Sequence, residues 1–443
     1  MEQKTIYDKP VRMRTMLKFT FPTMILMIFS SLYTVADGIV VSNFVGSLGL
    51  SAINIVYPLL NVTMAVSLML STGSNAIIAK KLGEGKGEEA NRFMSLVTLV
   101  TVLAVGVLVS VMMLFEEPLY YLLGSDDELM PYCIEYGRIV VPGAVFLALQ
   151  FVFQTFLVTA DRPKLAMWLT VGGGVLNIVL DILLVGPLHM GVAGAAIASV
   201  TGQAVAGIIP VVLFFDKKLL IHFQGPKWEG RELVYAMGNG SSEMVGSMAG
   251  AITTVLFNVQ MMSLVGEKGV AAISAVLYLD FIFVAIFIGF TSGIAPVISY
   301  NYGAENYRNL HKLFVICLKV IGFFAVVMFV LSELFNRQLA MIFASADPVL
   351  ADLMIAGFRI FALKFLFSGF IMMASSFFTA LNNGKISALI SFLRTFVLEM
   401  SALILLPKMW GLIGVWVAVP ISEFIGLLIA VGLLVKHKKV YHY

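Results

Sequence analysis

Long apolar runs separated by short polar stretches recur along the whole chain. A hydrocarbon core about 30 Å thick is crossed by roughly 20 apolar residues in helical form. On that measure the pattern predicts twelve crossings, over 15–41, 51–79, 93–115, 132–160, 165–186, 192–215, 232–262, 269–299, 313–334, 352–381, 386–406 and 412–435. Water cannot satisfy backbone polar groups inside a bilayer, so each crossing is expected to be a helix. The fold class that follows is an all-α polytopic membrane protein.

The polar intervals between the runs set the direction. With the N-terminus inside, one set of loops and tails holds 21 Lys and Arg residues, and the opposite set holds only Lys268, Arg337 and Lys408. Basic residues mark the cytoplasmic side. Both termini are therefore predicted to be cytoplasmic, in a multi-pass protein of a bacterial inner membrane. The interval 115–131 carries Glu116, Glu117, Asp126, Asp127 and Glu128 without a basic residue, as an outer loop should.

Composition agrees and excludes other classes. Apolar residues make up 60% of the chain and charged residues 12%. A soluble domain is roughly a quarter charged, so most of this exterior must face lipid. A net charge of +3 leaves no electrostatic footprint for nucleic acid. Cys133 and Cys317 are far apart and suggest neither a disulfide framework nor a thiolate metal site. The first 20 residues are polar and basic, unlike a cleavable signal peptide.

The chain also repeats itself at an offset of 220 residues. Val45, Gly46, Gly49, Ala52, Ile53 and Val56 meet Val265, Gly266, Gly269, Ala272, Ile273 and Val276. Without a gap, the same shift pairs Gly73 with Gly293, Gly83 with Gly303, Thr159 with Thr379, and Pro187, Gly191, Gly194 and Ala198 with Pro407, Gly411, Gly414 and Ala418. Each half then holds six helices. An even number means that both halves enter the membrane from the same side, as parallel repeats about an axis along the membrane normal. The expected division is a first lobe over 1–215, a cytoplasmic linker over 216–231 and a second lobe over 232–443.

An ionisable group at mid-membrane costs at least a few kcal/mol, so each one needs a reason. The candidates are Asp37, Asp181, Glu243, Asp280 and Glu399. Tyr33 lies one turn before Asp37, and Asn177 lies four residues before Asp181, which puts each pair on one helix face. Two carboxylates and an amide oxygen are hard ligands suited to Na⁺. Alternatively, one carboxylate carries a proton, its affinity for it raised by desolvation and by the second acid. The offset of 220 puts Phe257, Val397 and Ser401 opposite Asp37, Asn177 and Asp181, so this cluster belongs to the first half alone. Glu243, Asp280 and Glu399 are candidates for meeting a cationic substrate, or for pairing with Arg359, Lys364 or Arg394. Gln150 and Gln154, four apart, are candidates for lining the same cavity, with interhelical hydrogen bonding as the alternative.

These residues resemble the MATE (multidrug and toxic compound extrusion) family, in its MepA-like branch. Pro22, Tyr33 and Asp37 stand in and before LYTVADGIVVSNFVG; GSNAIIAKKLGEGKGEEA and GIAPVISYNYGAEN form paired glycine turns. TADRPK at 159–164, NIVLD at 177–181 and GVAGAAIAS at 191–199 continue the likeness over nearly the whole chain. The resemblance implies a V-shaped pair of six-helix lobes that exports cationic or amphipathic small molecules in exchange for H⁺ or Na⁺, with no other cofactor. It maps the first-lobe cation site onto Asp37, Asn177 and Asp181, with a hydroxyl from Ser199 or Thr201. The span 352–381 departs from the family, offering Arg359 and Lys364 where some branches place an acid. The expected partners are drug-like molecules and lipid, with the chain acting as a monomer.

A lipid-linked saccharide flippase is the nearer alternative and needs clustered cations, for which Arg138, Arg359, Lys364 and Arg394 are the candidates. An enzyme or an ATP-driven pump is not expected. The apolar spans hold no His beside the acids, and the chain has no HExxH and no G-x-x-x-x-G-K-[ST] loop.

Overall fold

The computed structural model describes residues 5–344 and 347–443. The side chains of residues 35–44 and 47 lie outside that description, and Asp37 is among them. Every regular element among the described residues is helical. In chain order the helices are α1 (Met13–Gly83), α2 (Gly87–Leu114), α3 (Glu116–Leu122), α4 (Met130–Thr159), α5 (Pro163–Val185), α6 (Gly191–Leu213) and α7 (Gly230–Leu264). There follow α8 (Glu267–Gly303), α9 (Tyr307–Leu334), α10 (Asn336–Ala344), α11 (Pro348–Phe361), α12 (Phe365–Ala380), α13 (Gly384–Phe392) and α14 (Met400–Tyr441).

Ten described stretches are long and apolar enough to cross a membrane. The last of them, Gly384–Tyr441, holds two crossings, because Gly411 breaks it at φ 56° and ψ −132°. One further crossing runs through α11, a single 3-10 turn at Ala362–Lys364, and α12, whose halves are each too short to span alone. The twelve expected crossings are thus present. α1 carries the first two, separated at Gly46, where φ is 79°.

The offset of 220 recurs in backbone conformation. Gly46 and Gly266 have φ of 79° and 84°, and Gly191 and Gly411 have φ of 55° and 56°. These are left-handed values that a residue without a Cβ adopts freely. The short helices α3 and α10 begin at Glu116 and Asn336, also 220 apart. Neither was expected: the interval after 115 reads as an acidic loop. Tyr120 is buried while Leu122 is 81% exposed, so α3 lies with one side against the fold.

The described contacts between the halves gather toward the face that holds the termini. The Tyr7 ring stacks on Tyr300 at 4.4 Å, and the Thr23 hydroxyl donates to the Gly289 carbonyl at 2.7 Å. Gly73 and Gly240 let α1 and α7 touch backbone to backbone; a Cβ on Gly73 would strike the Ala236 carbonyl. Such small residues are how helices approach closely in lipid. Lys81, with 8% of its side chain exposed, reaches Glu89 at 2.9 Å, Glu232 at 3.0 Å and Glu229 at 3.7 Å. One cation from the first half thereby holds the start of the second. Burial, with a hydrogen bond to Glu232 next, pushes the Glu229 carboxyl above its ordinary range. A cavity of about 1130 Å³ lies at this face, lined by Lys80, Arg231, Tyr235, Lys385 and Tyr441 among others. None of Asn177, Asp181, Glu243, Asp280 and Glu399 lines it.

Candidate functional site

In the first half, α5 and α6 meet glycine to glycine. A Cβ built on Gly173 would come 2.5 Å from the Gly202 carbonyl, and one on Gly202 would come 2.6 Å from the Gly173 carbonyl. One turn beyond that crossing, Asn177 is 1% exposed, and Asp181 is fully buried a further turn along. The Tyr33 hydroxyl donates to Asn177 Oδ1 at 2.9 Å, and Asn177 Nδ2 donates to Ser199 Oγ at 3.3 Å. Asn177 therefore ties α1, α5 and α6 together.

The two hydroxyl candidates separate here. Ser199 joins this chain of bonds, whereas Thr201 donates to the Ile197 carbonyl of its own helix at 2.7 Å. Gln150 and Gln154 are half-buried on one face of α4. Among the described residues, no group of three or more His, Cys, Asp or Glu side chains is placed to hold a metal ion. A cation here would rely on the Asp181 carboxylate together with amide and hydroxyl oxygens, a hard donor set of the kind that Na⁺ accepts.

The second half is built differently. Lys364, at the end of the 3-10 turn, holds Asp280 of α8 at 2.8 Å and stands 4.9 Å from the centre of the Phe361 ring. Of the three cations considered as partners for the buried acids, Lys364 is thus the one that pairs with Asp280. Arg394 instead takes Glu423 of α14, with Nε 3.0 and 3.1 Å from the two carboxylate oxygens and Nη2 2.5 Å from one. Glu423 was missed in the sequence analysis, although it is the sole ionisable residue in the apolar span 412–435 and meets the criterion applied to the others. Its side chain is 2% exposed. Glu243 and Glu399 are half-buried. Arg394 lies within electrostatic reach of both, and Glu399 also feels Lys364, Glu423 and Asp280. Arg394 and Glu399 belong to a π-helical segment, Leu393–Glu399. Single π turns inside helices occur often at functional sites.

The cations needed by the flippase alternative do not converge. Arg138 pairs with Glu116 at 2.7 Å and Arg359 with Glu333 at 3.4 Å, and both arginines are largely exposed. Lys364 and Arg394 are each occupied by a carboxylate.

The multidrug export protein MepA of Staphylococcus saprophyticus is 26% identical to this chain, over 97% of the chain and 95% of that protein. An FAD transporter of Shewanella oneidensis is 23% identical, covering 93% of this chain and 92% of its own. A solved multidrug resistance MATE family transporter in an outward-facing conformation superposes with a TM-score of 0.91 at 23% identity, over 99% of each chain. A MATE structure in a straight conformation superposes with a TM-score of 0.93 at 22% identity, over 100% of this chain and 99% of that one. The MatE family model matches twice, over residues 22–183 and 244–404, once in each half of the repeat. With most of its length so matched, the chain belongs to the MatE family and is a transporter, not an enzyme.

Proposed function

We propose that this protein is a secondary antiporter that exports cationic or amphipathic small organic molecules and is driven by an inward gradient of H⁺ or Na⁺. The observation that carries this reading is the Tyr33–Asn177–Ser199 chain, centred on buried Asn177, with the buried Asp181 carboxylate one turn away. Ionisable side chains inside a membrane protein are costly to place there, and they mark ion pathways and proton relays. Asp37, Asn177 and Asp181 are the proposed coupling residues, with Ser199 rather than Thr201 supplying the hydroxyl.

On this reading residues 1–215 and 232–443 form two lobes joined by the linker 216–231, and both termini are cytoplasmic. The contacts gathered at the terminal face then describe a transporter closed toward the cytoplasm. Cation binding in the first lobe and substrate binding between the lobes favour opposite conformations, and that difference in affinity is what couples them. Tyr33, Gln150 and Gln154 of the first lobe and Glu243, Asp280 and Glu399 of the second are the proposed cavity residues. The chain acts as a monomer in the inner membrane.

The test is ethidium efflux from cells expressing the wild type, Asp37→Asn or Asp181→Asn, with Na⁺ and the proton gradient varied separately. Loss in both variants at normal expression supports the reading, and the gradient that matters names the ion. Undiminished efflux in both variants sinks it.

A further inference from the structure

The chain ahead of α1 carries a small element of its own, a single 3-10 turn over Ile6–Asp8. The Asp8 carboxylate accepts from the Thr5 backbone N–H at 3.0 Å and from the Thr5 hydroxyl at 2.7 Å, which closes the turn on itself. Lys9 is extended, as the residue before a proline is inclined to be. The turn is therefore not a continuation of α1. Its place on the protein is set by what it touches.

Those contacts reach both halves. Ile6 is buried, and its backbone N–H donates to the Asp161 carboxylate at 3.2 Å. The Tyr7 hydroxyl donates to the Thr159 carbonyl at 2.8 Å, at the end of α4, where helix carbonyls lack partners within the helix. Both anchors belong to the first half. The face of the Tyr7 ring stacks on Tyr300 of α8, in the second half, at 4.4 Å. Tyr300 stands where the halves touch: a Cβ on Gly83 would strike the Tyr300 carbonyl, and one on Gly303 the Lys80 carbonyl. At the offset of 220, Ile6, Tyr7 and Asp161 fall on Pro226, Lys227 and Leu381. Those residues lack the N–H, the ring and the carboxylate that make these contacts, so the turn is a feature of one side of the junction.

Parting the halves at this face breaks either the first-half anchors or the stack on Tyr300. The anchors are two hydrogen bonds, backed by the short covalent link to α1. The other attachment is one ring contact. The turn therefore stays with the first half, and the stack is what gives way. We propose that residues 5–8 are a strap that holds the protein shut at the face carrying the termini, with the Tyr7–Tyr300 stack as its releasable contact. An aromatic pair supplies a modest bias, enough to favour closure and weak enough to break in each cycle. This inference rests on the exporter reading above for the alternation between two conformations. It adds a closing element that lies outside the membrane helices and apart from the proposed coupling site.

The experiment reads how often that face opens. Thr23 of α1 is 3% exposed and donates to the Gly289 carbonyl across the halves. Gly289 and Tyr300 are separated by about 16 Å of α8, so the gap left by a missing Tyr7 ring does not by itself uncover residue 23. The probe is Thr23→Cys in the full-length protein with Cys133→Ala and Cys317→Ala, held in lipid nanodiscs and treated with a small water-soluble methanethiosulfonate. Its rate of modification reports the open population. Tyr7→Ala and Tyr300→Ala are each expected to raise that rate roughly threefold to tenfold. The double variant should be no faster than the faster single one, because both remove the same contact. Leu122→Cys, at an exposed place on α3, should react at one rate in every background. Unchanged Thr23→Cys rates in the folded single variants overturn the proposal, as does a double variant in which the two increases multiply. Should Tyr7→Ala fail to fold, Tyr300→Ala is compared with Tyr300→Phe, which keeps the ring; equal rates in those two overturn the proposal as well. Gradient-driven efflux by the wild type, measured in proteoliposomes from the same preparation, tests the exporter reading separately. Its success alongside unchanged rates leaves that reading standing and removes the strap.

Discussion

The two halves repeat one backbone and fill it with opposite electrostatics. In the first half, Asn177 sits on a regular α5 beside the hydroxyls of Tyr33 and Ser199, with Asp181 one turn further along the same helix. In the second half, the equivalent positions are Val397 and Ser401, and the carboxylates are elsewhere, with Asp280 held by Lys364 and Glu423 by Arg394. Shifted back by 220, Arg394, Glu399 and Glu423 fall on Gly174, Val179 and Gln203. Neither cluster has a counterpart. A pair of halves that served only as scaffold would have no need to differ in this way. On the exchanger reading proposed above, the protein has to bind two different things, and two dissimilar sites on similar frames would meet that need.

The backbones diverge where the chemistry does. Gly173 and Gly202 bring α5 and α6 into contact, while Leu393 and Ser422 occupy those places in the second half. The helix bearing Leu393 is π-helical there, and α5 is α-helical through Gly173 and Asn177. The crossing that carries Lys364 is interrupted by a 3-10 turn, whereas α4, its counterpart, runs unbroken from Met130 to Thr159. Irregular backbone inside a membrane helix is tolerated where neighbouring protein or a cavity satisfies it.

The largest effect expected from breaking this contrast is on stability. Glu423→Gln strands a half-buried guanidinium and should cost up to about 3 kcal/mol, with the double variant Arg394→Gln/Glu423→Gln recovering most of it. Thermal melting in detergent for the four corners of that cycle measures the coupling, and an additive result would make the pair incidental. Next comes transport. Asp181→Asn should lower ethidium efflux on the order of a hundredfold, and Ser401→Ala, at the matching place in the second half, should leave it unchanged. Equal losses in both would erase the asymmetry argued here.

A steric test is expected to be smaller. Gly202→Val drives a branched side chain against the Gly173 carbonyl and Asn177, and overpacking of this kind costs about 1–3 kcal/mol. The proposed coupling site should suffer with it, read as weaker ion-dependent efflux at normal expression. Ser422→Val in the second half should be milder, because no glycine contact is described there. The smallest effect belongs to Arg138→Ala, which removes an ion pair with Glu116 whose arginine side chain is 60% exposed. Its melting temperature and efflux should match the wild type, which makes it the control for Arg394.

Much of this was legible in the residues before any coordinates. The twelve crossings follow from apolar runs, because a helix in lipid needs little beyond length and hydrophobicity. The repeat follows from Gly46, Gly191, Gly266 and Gly411, since left-handed turns restrict the residue type wherever they occur. Asn177 and Asp181 share a face because four residues make about one turn. By the same reasoning Glu423 was available as a lone acid in an apolar span, and the sequence reading passed it over.

The sequence by itself determined which groups are too costly to leave in lipid and how they are spaced along each helix. Only the tertiary structure decided who pairs with whom. Arg394 and Glu423 are 29 residues apart on neighbouring helices, and Lys364 and Asp280 are 84 apart. Periodicity orders side chains around one helix but says nothing of the rotation of the next. That rotation is set by the packing of many apolar contacts at once, and with it the choice of Glu423 over Glu399 for Arg394, and of Ser199 over Thr201 for Asn177.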